Sequence, residues 1–123
     1  MIRVLLVDPS NSPELFGLCE ASGELSVSHL PEKTDIGEAL SRQSPDIVII
    51  HDNSEDYPEI EILRKIRTCN MVIPVLFLTD ALDGDRAARA LSTGADYYLW
   101  DVTQENYQDL LVPVIKNLVA HRR

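Results

Sequence analysis

The sequence predicts a single doubly wound α/β domain in which five parallel strands alternate with five helices in the spatial order 2-1-3-4-5. Three observations predict it. Short, nearly uninterrupted apolar runs recur at 2–7, 45–52 and 74–79, each closing on polar residues, as strands buried on both faces of a sheet do. Between the runs lie segments whose apolar residues recur at three and four, the spacing of amphipathic helices. The connections are short, which calls for a parallel sheet covered on both faces. At 123 residues the chain suits one domain with one core.

The first strand is Ile2-Arg3-Val4-Leu5-Leu6-Val7, closed by Asp8-Pro9-Ser10. Ser12 and Pro13 read as the cap and first turn of a helix carrying Leu15, Leu18 and Cys19, stopped by Gly23. Residues 25–30 alternate Leu, Ser, Val, Ser, His, Leu, the period-2 pattern of an edge strand with one wet face, and Pro31 ends them. Thr34 or Asp35 caps a second helix that turns Ile36, Ala39 and Leu40 inward. Four consecutive β-branched residues, Ile47 to Ile50, then make the third strand, with Pro45 marking its start and His51 and Asp52 its end. In an open α/β sheet those two residues emerge at the carboxyl rim, where such folds place their chemistry.

Residues 53–58 are polar and turn-rich. Ile60, Leu63 and Ile66 follow as the apolar stripe of a third helix, with Arg67 near its end where it favours the helix dipole. Pro74 to Thr79 is the fourth strand. The alanine-rich helix over 83–92 has Ala87, Ala88 and Leu91 as packing residues, and Gly94 suits the position just past its end. Tyr97-Tyr98-Leu99-Trp100 is the fifth strand. Thr103 caps a last helix with a wide stripe from Tyr107 to Leu118, and Pro113 inside it predicts a kink or break near 109–112. The alternating strand belongs at an edge and the uniformly apolar strands inside, which gives the order 2-1-3-4-5 and brings Asp8, His51, Asp52, Thr79, Asp80 and Asp101 to one rim.

Composition narrows the function. Lys plus Arg number 11 against 20 Asp plus Glu, and a formal charge of −9 leaves no basic field for nucleic acid. Cys19 and Cys69 are far apart without metal-ligand spacing and read as reduced thiols. No apolar run reaches the roughly 20 residues of a membrane span, and the first residues form a strand pattern rather than a signal peptide, so the expectation is a cytoplasmic chain without membrane contact. A flavodoxin-like small-ligand binder is the weaker alternative, since no glycine-rich loop follows the first strand.

Over nearly its whole length the chain resembles the receiver domain of two-component response regulators, a CheY-like, flavodoxin-like (βα)5 fold. The pieces that carry the resemblance are Val4-Leu5-Leu6-Val7-Asp8, Pro45-Asp46-Ile47-Val48-Ile49-Ile50, Leu63-Arg64-Lys65-Ile66-Arg67, Pro74 to Thr79 and Gly94-Ala95-Asp96-Tyr97-Tyr98-Leu99. The resemblance implies that residues 1–123 form one receiver-like domain; its end, His121-Arg122-Arg123, reads equally as a basic close to the last helix that favours the dipole or, over 120–123, as the start of a linker to a further domain. It also implies a magnesium-binding acid pair after the first strand, a phosphoacceptor aspartate ending the third, a hydroxyl ending the fourth, and a lysine after the fifth.

Matched position by position, Asp8 is the first acid, Thr79 the hydroxyl and Tyr98 the aromatic that receivers use as a rotating switch. Pro9 stands where the second acid belongs, His51 where the acceptor belongs, and Asp101 where the lysine belongs. This degenerate pocket predicts a pseudo-receiver that is not an enzyme and holds no cofactor. Asp52 is the alternative acceptor, with a histidine kinase as donor and Mg²⁺ as its requirement, and Asp8 and Asp52 are then the weak candidates for metal ligands. A one-residue shift turns a strand side chain to the other face, so Asp52 needs a bulge or an early strand end to enter the pocket. Asp101 works against either use: two like charges about 4 Å apart repel by roughly 4 kcal/mol at an effective dielectric near 20. Carboxylates around His51 would hold it as a built-in cation; the plainer role is a strand-end histidine bonded to loop backbone.

Receivers meet their partners through the fourth helix, fifth strand and fifth helix. The partners implied are a histidine kinase, an output domain or a second copy of the chain, with Trp100 and Tyr107 as candidate anchors.

Overall fold

The computed structural model describes residues 2–7, 23–30, 35–52, 59–69, 72–79, 84–100 and 106–121; within these, the side chains of 52, 59, 60, 79, 86, 100 and 106–110 fall outside the description. Among the described residues there are five strands: β1 (Ile2–Val7), β2 (Leu25–His29), β3 (Ile47–Asp52), β4 (Val75–Thr79) and β5 (Tyr97–Trp100). The described helices are α1 (Ile36–Gln43), α2 (Glu59–Cys69), α3 (Gly84–Thr93) and α4 (Asn106–His121). The helix predicted to run from Ser12 until Gly23 stops it lies, at residues 12–22, outside the described residues.

All four strand pairings are parallel and the sheet order is β2-β1-β3-β4-β5, the doubly wound order read from the sequence. The uniformly apolar strands run through the middle because both of their faces are covered. Leu5, Val7, Val48, Ile50, Val75, Phe77 and Tyr98 face one core with α1, α2 and α3, while Val4, Leu6, Ile47, Ile49, Leu76, Leu78 and Leu99 face a second core with Leu111 and Ile115 of α4. The edge strand β2 shows the expected alternation, with Leu25 buried and Ser26 and Ser28 exposed.

Local chemistry sets the helix ends. Asp35 is the N-cap of α1 and its carboxylate accepts from Gly37 N at 3.0 Å, while Thr34 lies outside the described residues. Ile36, Ala39 and Leu40 are buried as predicted. Ser44 ends the helix at φ 46°, a left-handed conformation usually left to glycine or asparagine, and its N–H donates to Leu40 O. Nothing in the serine's type announced that role.

Three expectations are corrected. β3 begins at Ile47 rather than at Pro45, which lacks the N–H a ladder needs. In α3 the residue facing the core is Ala90, fully buried, with Ala87 half-buried beside it. Ala88 and Leu91, each about 100° further round the helix, are exposed, Leu91 by 50%. α4 runs without a break through Pro113, which sits on its exposed side, where water can satisfy the carbonyl that proline leaves without a donor.

Candidate functional site

Parallel register fixes what lies beside what at the carboxyl rim. Across the sheet Val7 pairs with Ile50, Ile50 with Phe77 and Phe77 with Tyr98, all on the face covered by α1 to α3. In the next row His51 pairs with Leu78 and Leu78 with Leu99, on the opposite face. The last row joins Asp52, Thr79 and Trp100.

His51 is buried, 5% exposed, and it is the polar residue buried within the sheet core among the described residues. Its burial follows from the alternation of Ile47 and Ile49, which places position 51 on the same covered face. The acceptor place reached by counting along the sequence is therefore occupied by a histidine closed off from solvent. β3 pairs with β4 in unbroken register from Val48 to Asp52, so the bulge that would bring position 52 onto the face of His51 is absent. The same register makes Asp52 and Thr79 direct backbone neighbours. Asp8, Pro9, Asp80 and Asp101 lie outside the described residues, as do the side chains of Asp52, Thr79, Trp100 and Tyr107. Among the described residues no group of three or more His, Cys, Asp or Glu is placed to hold a metal ion.

Tyr98 at the switch position is buried, 8% exposed, and its ring stacks on Phe77 with centroids 5.7 Å apart and planes 12° from parallel. Tyr97, its neighbour in sequence, is 44% exposed, so of these two tyrosines only Tyr98 is a packing residue. Phe77 as the partner of Tyr98 was not singled out by the sequence, although its place two residues before Thr79 on an apolar strand carried the signal.

A second unforeseen cluster lies at the opposite end of β4 and β5. Arg67, rather than serving only the dipole of α2, reaches out of that helix to the loops entering these strands. Its Nη1 donates to Ile73 O at 2.6 Å, Nε and Nη2 donate to Gly94 O at 2.9 and 2.6 Å, and Nη2 pairs with Asp96 Oδ2 at 2.9 Å. Asp96 in turn accepts from Val75 N at 2.7 Å. Two of the motif pieces that carried the resemblance, 63–67 and 94–99, thus meet in space.

The class this geometry defines is the open, doubly wound α/β fold with a parallel sheet. Within that class, the chain has the fold of response regulator receiver domains. It superposes on a response regulator receiver domain protein from Clostridium thermocellum with a TM-score of 0.78 at 23% identity, over 99% of this chain and 97% of that one. The response regulator domain of Thermotoga maritima CheB gives a TM-score of 0.79 at 17% identity, over 98% and 97%. The BeF3-activated receiver domain of Klebsiella pneumoniae RstA gives 0.76 at 18% identity, over 95% and 97%. No protein-family profile and no curated protein matches the chain. Among the described residues no helix is long and apolar enough to cross a membrane.

Proposed function

We propose that this chain is a receiver-like signalling module that works by docking to a protein partner without being phosphorylated. The observation that carries the reading is His51: the place of the phosphoacceptor holds a buried imidazole in place of a carboxylate. Phosphoryl transfer on this fold depends on magnesium and fixed positive charge to neutralise the equatorial oxygens. The residues at the matching positions do not fit that metal. Pro9 offers no side-chain oxygen, and magnesium, which demands octahedral oxygen ligands, is poorly served by an imidazole. Asp101 replaces the expected lysine by a carboxylate and adds repulsion toward any phosphoryl group.

The partner in this reading is a histidine kinase, an output domain or a second copy, met through α3, β5 and α4. Leu91 and Tyr97, both half-exposed on that side, join Trp100 and Tyr107 as the residues to test there. The module is cytoplasmic and holds no resident cofactor.

A second reading, phosphorylation of Asp52, draws on its backbone pairing with Thr79. The two separate in one experiment: incubation with Mg²⁺ and a small acyl phosphate, or with beryllofluoride, followed by intact mass and by NMR shifts at Thr79 and Tyr98. The interaction-module reading expects no added phosphoryl mass and no shifts. A phosphoryl adduct mapped to Asp52 overturns it.

A further inference from the structure

We infer that Phe77 locks Tyr98 in the buried position, so that the switch aromatic of this receiver fold is held in one state by the resting protein; the inference rests on the receiver-type reading above. Phe77 and Tyr98 are backbone partners on adjacent strands and share one face of the sheet. Their rings lie nearly parallel, 12° apart with centroids at 5.7 Å, within the range of offset stacking.

Phe77 is an immobile partner. It is fully buried in the middle of a lateral row, with Ile50 and then Val7 on one side and Tyr98 on the other. Tyr98 ends that row on the edge strand. In the same cluster, the helix above it and the turn before it contribute Ala87, Ala90 and Ala95. The small side chains of these three alanines belong to the core in which the inward ring is buried. A ring that swings outward forfeits both the stack on Phe77 and its burial from water. Removing the stack alone shifts the balance toward the outward state by about tenfold. In a receiver whose aromatic must move in response to a phosphoryl group, such a lock is a handicap. In one that docks without phosphorylation it keeps the surface of α3 and β5, with Leu91 and Tyr97 exposed, in a single shape.

Tyr97 and Tyr98 form an internal control, since they are adjacent in sequence, one exposed by 44% and the other by 8%. In the full chain carrying labelled tyrosine, the side-chain rotamer of Tyr98 is measured by NMR with a soluble paramagnetic quencher, with and without Mg²⁺ and beryllofluoride. The expected result is one rotamer for Tyr98, shielded from a quencher that broadens Tyr97. In Phe77→Leu the outward population of Tyr98 rises about tenfold while the amide dispersion stays native; Phe77→Met serves if the leucine variant does not fold. Exchange of Tyr98 between rotamers in the wild type overturns the lock, as does a variant whose Tyr98 is as shielded as before. Beryllofluoride shifts at Thr79 with Tyr98 still shielded overturn the phosphorylation-independent reading and leave the lock standing.

Discussion

Replacing Arg67 by Met keeps the aliphatic stem and removes the guanidinium, which isolates the cluster that ties α2 to the entries of β4 and β5. The side chain is 16% exposed and donates to two backbone carbonyls, Ile73 O and Gly94 O, the latter through two nitrogens. A hydrogen bond to a charged group contributes about 1.5–3 kcal/mol when buried. Partial access to water lowers that to about 1 kcal/mol for each carbonyl, with the doubly bonded Gly94 oxygen counted once. The Asp96 pair adds only about 0.5 kcal/mol, because the carboxylate is 43% exposed. The sum is about 2.5 kcal/mol, or about 10 °C in Tm for a domain of this length. Arg64, one turn earlier, is the control. It pairs with Glu61 at 2.6 Å with both side chains more than half exposed, so Arg64→Met costs under about 0.5 kcal/mol. Arg67→Lys recovers less than half of the loss, since one ammonium cannot replace a fork that spans two carbonyls. Urea unfolding followed by circular dichroism measures all three variants. A loss below about 0.8 kcal/mol for Arg67→Met, or one equal to that of Arg64→Met, refutes the reasoning.

Gly94→Ala strikes the same cluster from the other side. The glycine has φ 130° and an added Cβ would lie 2.8 Å from Arg67 Nε, so a destabilisation of at least about 2 kcal/mol is expected in the same unfolding assay. Asp35→Ala removes the N-cap of α1 and costs about 1 kcal/mol, whereas Asp35→Asn, which keeps an oxygen for Gly37 N, costs only a few tenths. Restoring the missing chemistry tests the site: His51→Asp alone gains no phosphoryl mass from a small acyl phosphate with Mg²⁺, while Pro9→Asp, His51→Asp and Asp101→Lys combined do. Phosphorylation of the single variant would show that Pro9 and Asp101 are no obstacle.

The strands and their order were legible because burial on both faces leaves a local mark, a run of β-branched and aliphatic residues, and one wet face leaves alternation in 25–30. A cap at Thr34 or Asp35 and the turn at Gly94 were legible for the same reason, since a side-chain oxygen or a missing Cβ acts within a few residues; the structure chose Asp35. Counting along the third strand placed the acceptor at His51. It could not give the imidazole's burial, which depends on how far the cover over the face of Ile47 and Ile49 reaches toward the end of the strand. Rotation of α3 about its own axis chose Ala90 over Ala88 and Leu91, a choice between neighbouring stripes of small residues that composition leaves nearly degenerate. Arg67 and Gly94, 27 residues apart, and the stacked pair Phe77 and Tyr98 exist only through strand register and helix placement. The sequence by itself determined the doubly wound sheet and the residue types along its strands, because hydrophobic periodicity is a local property. The tertiary structure alone decided which of them are buried and which touch, because register and helix rotation are set by the packing of the whole core.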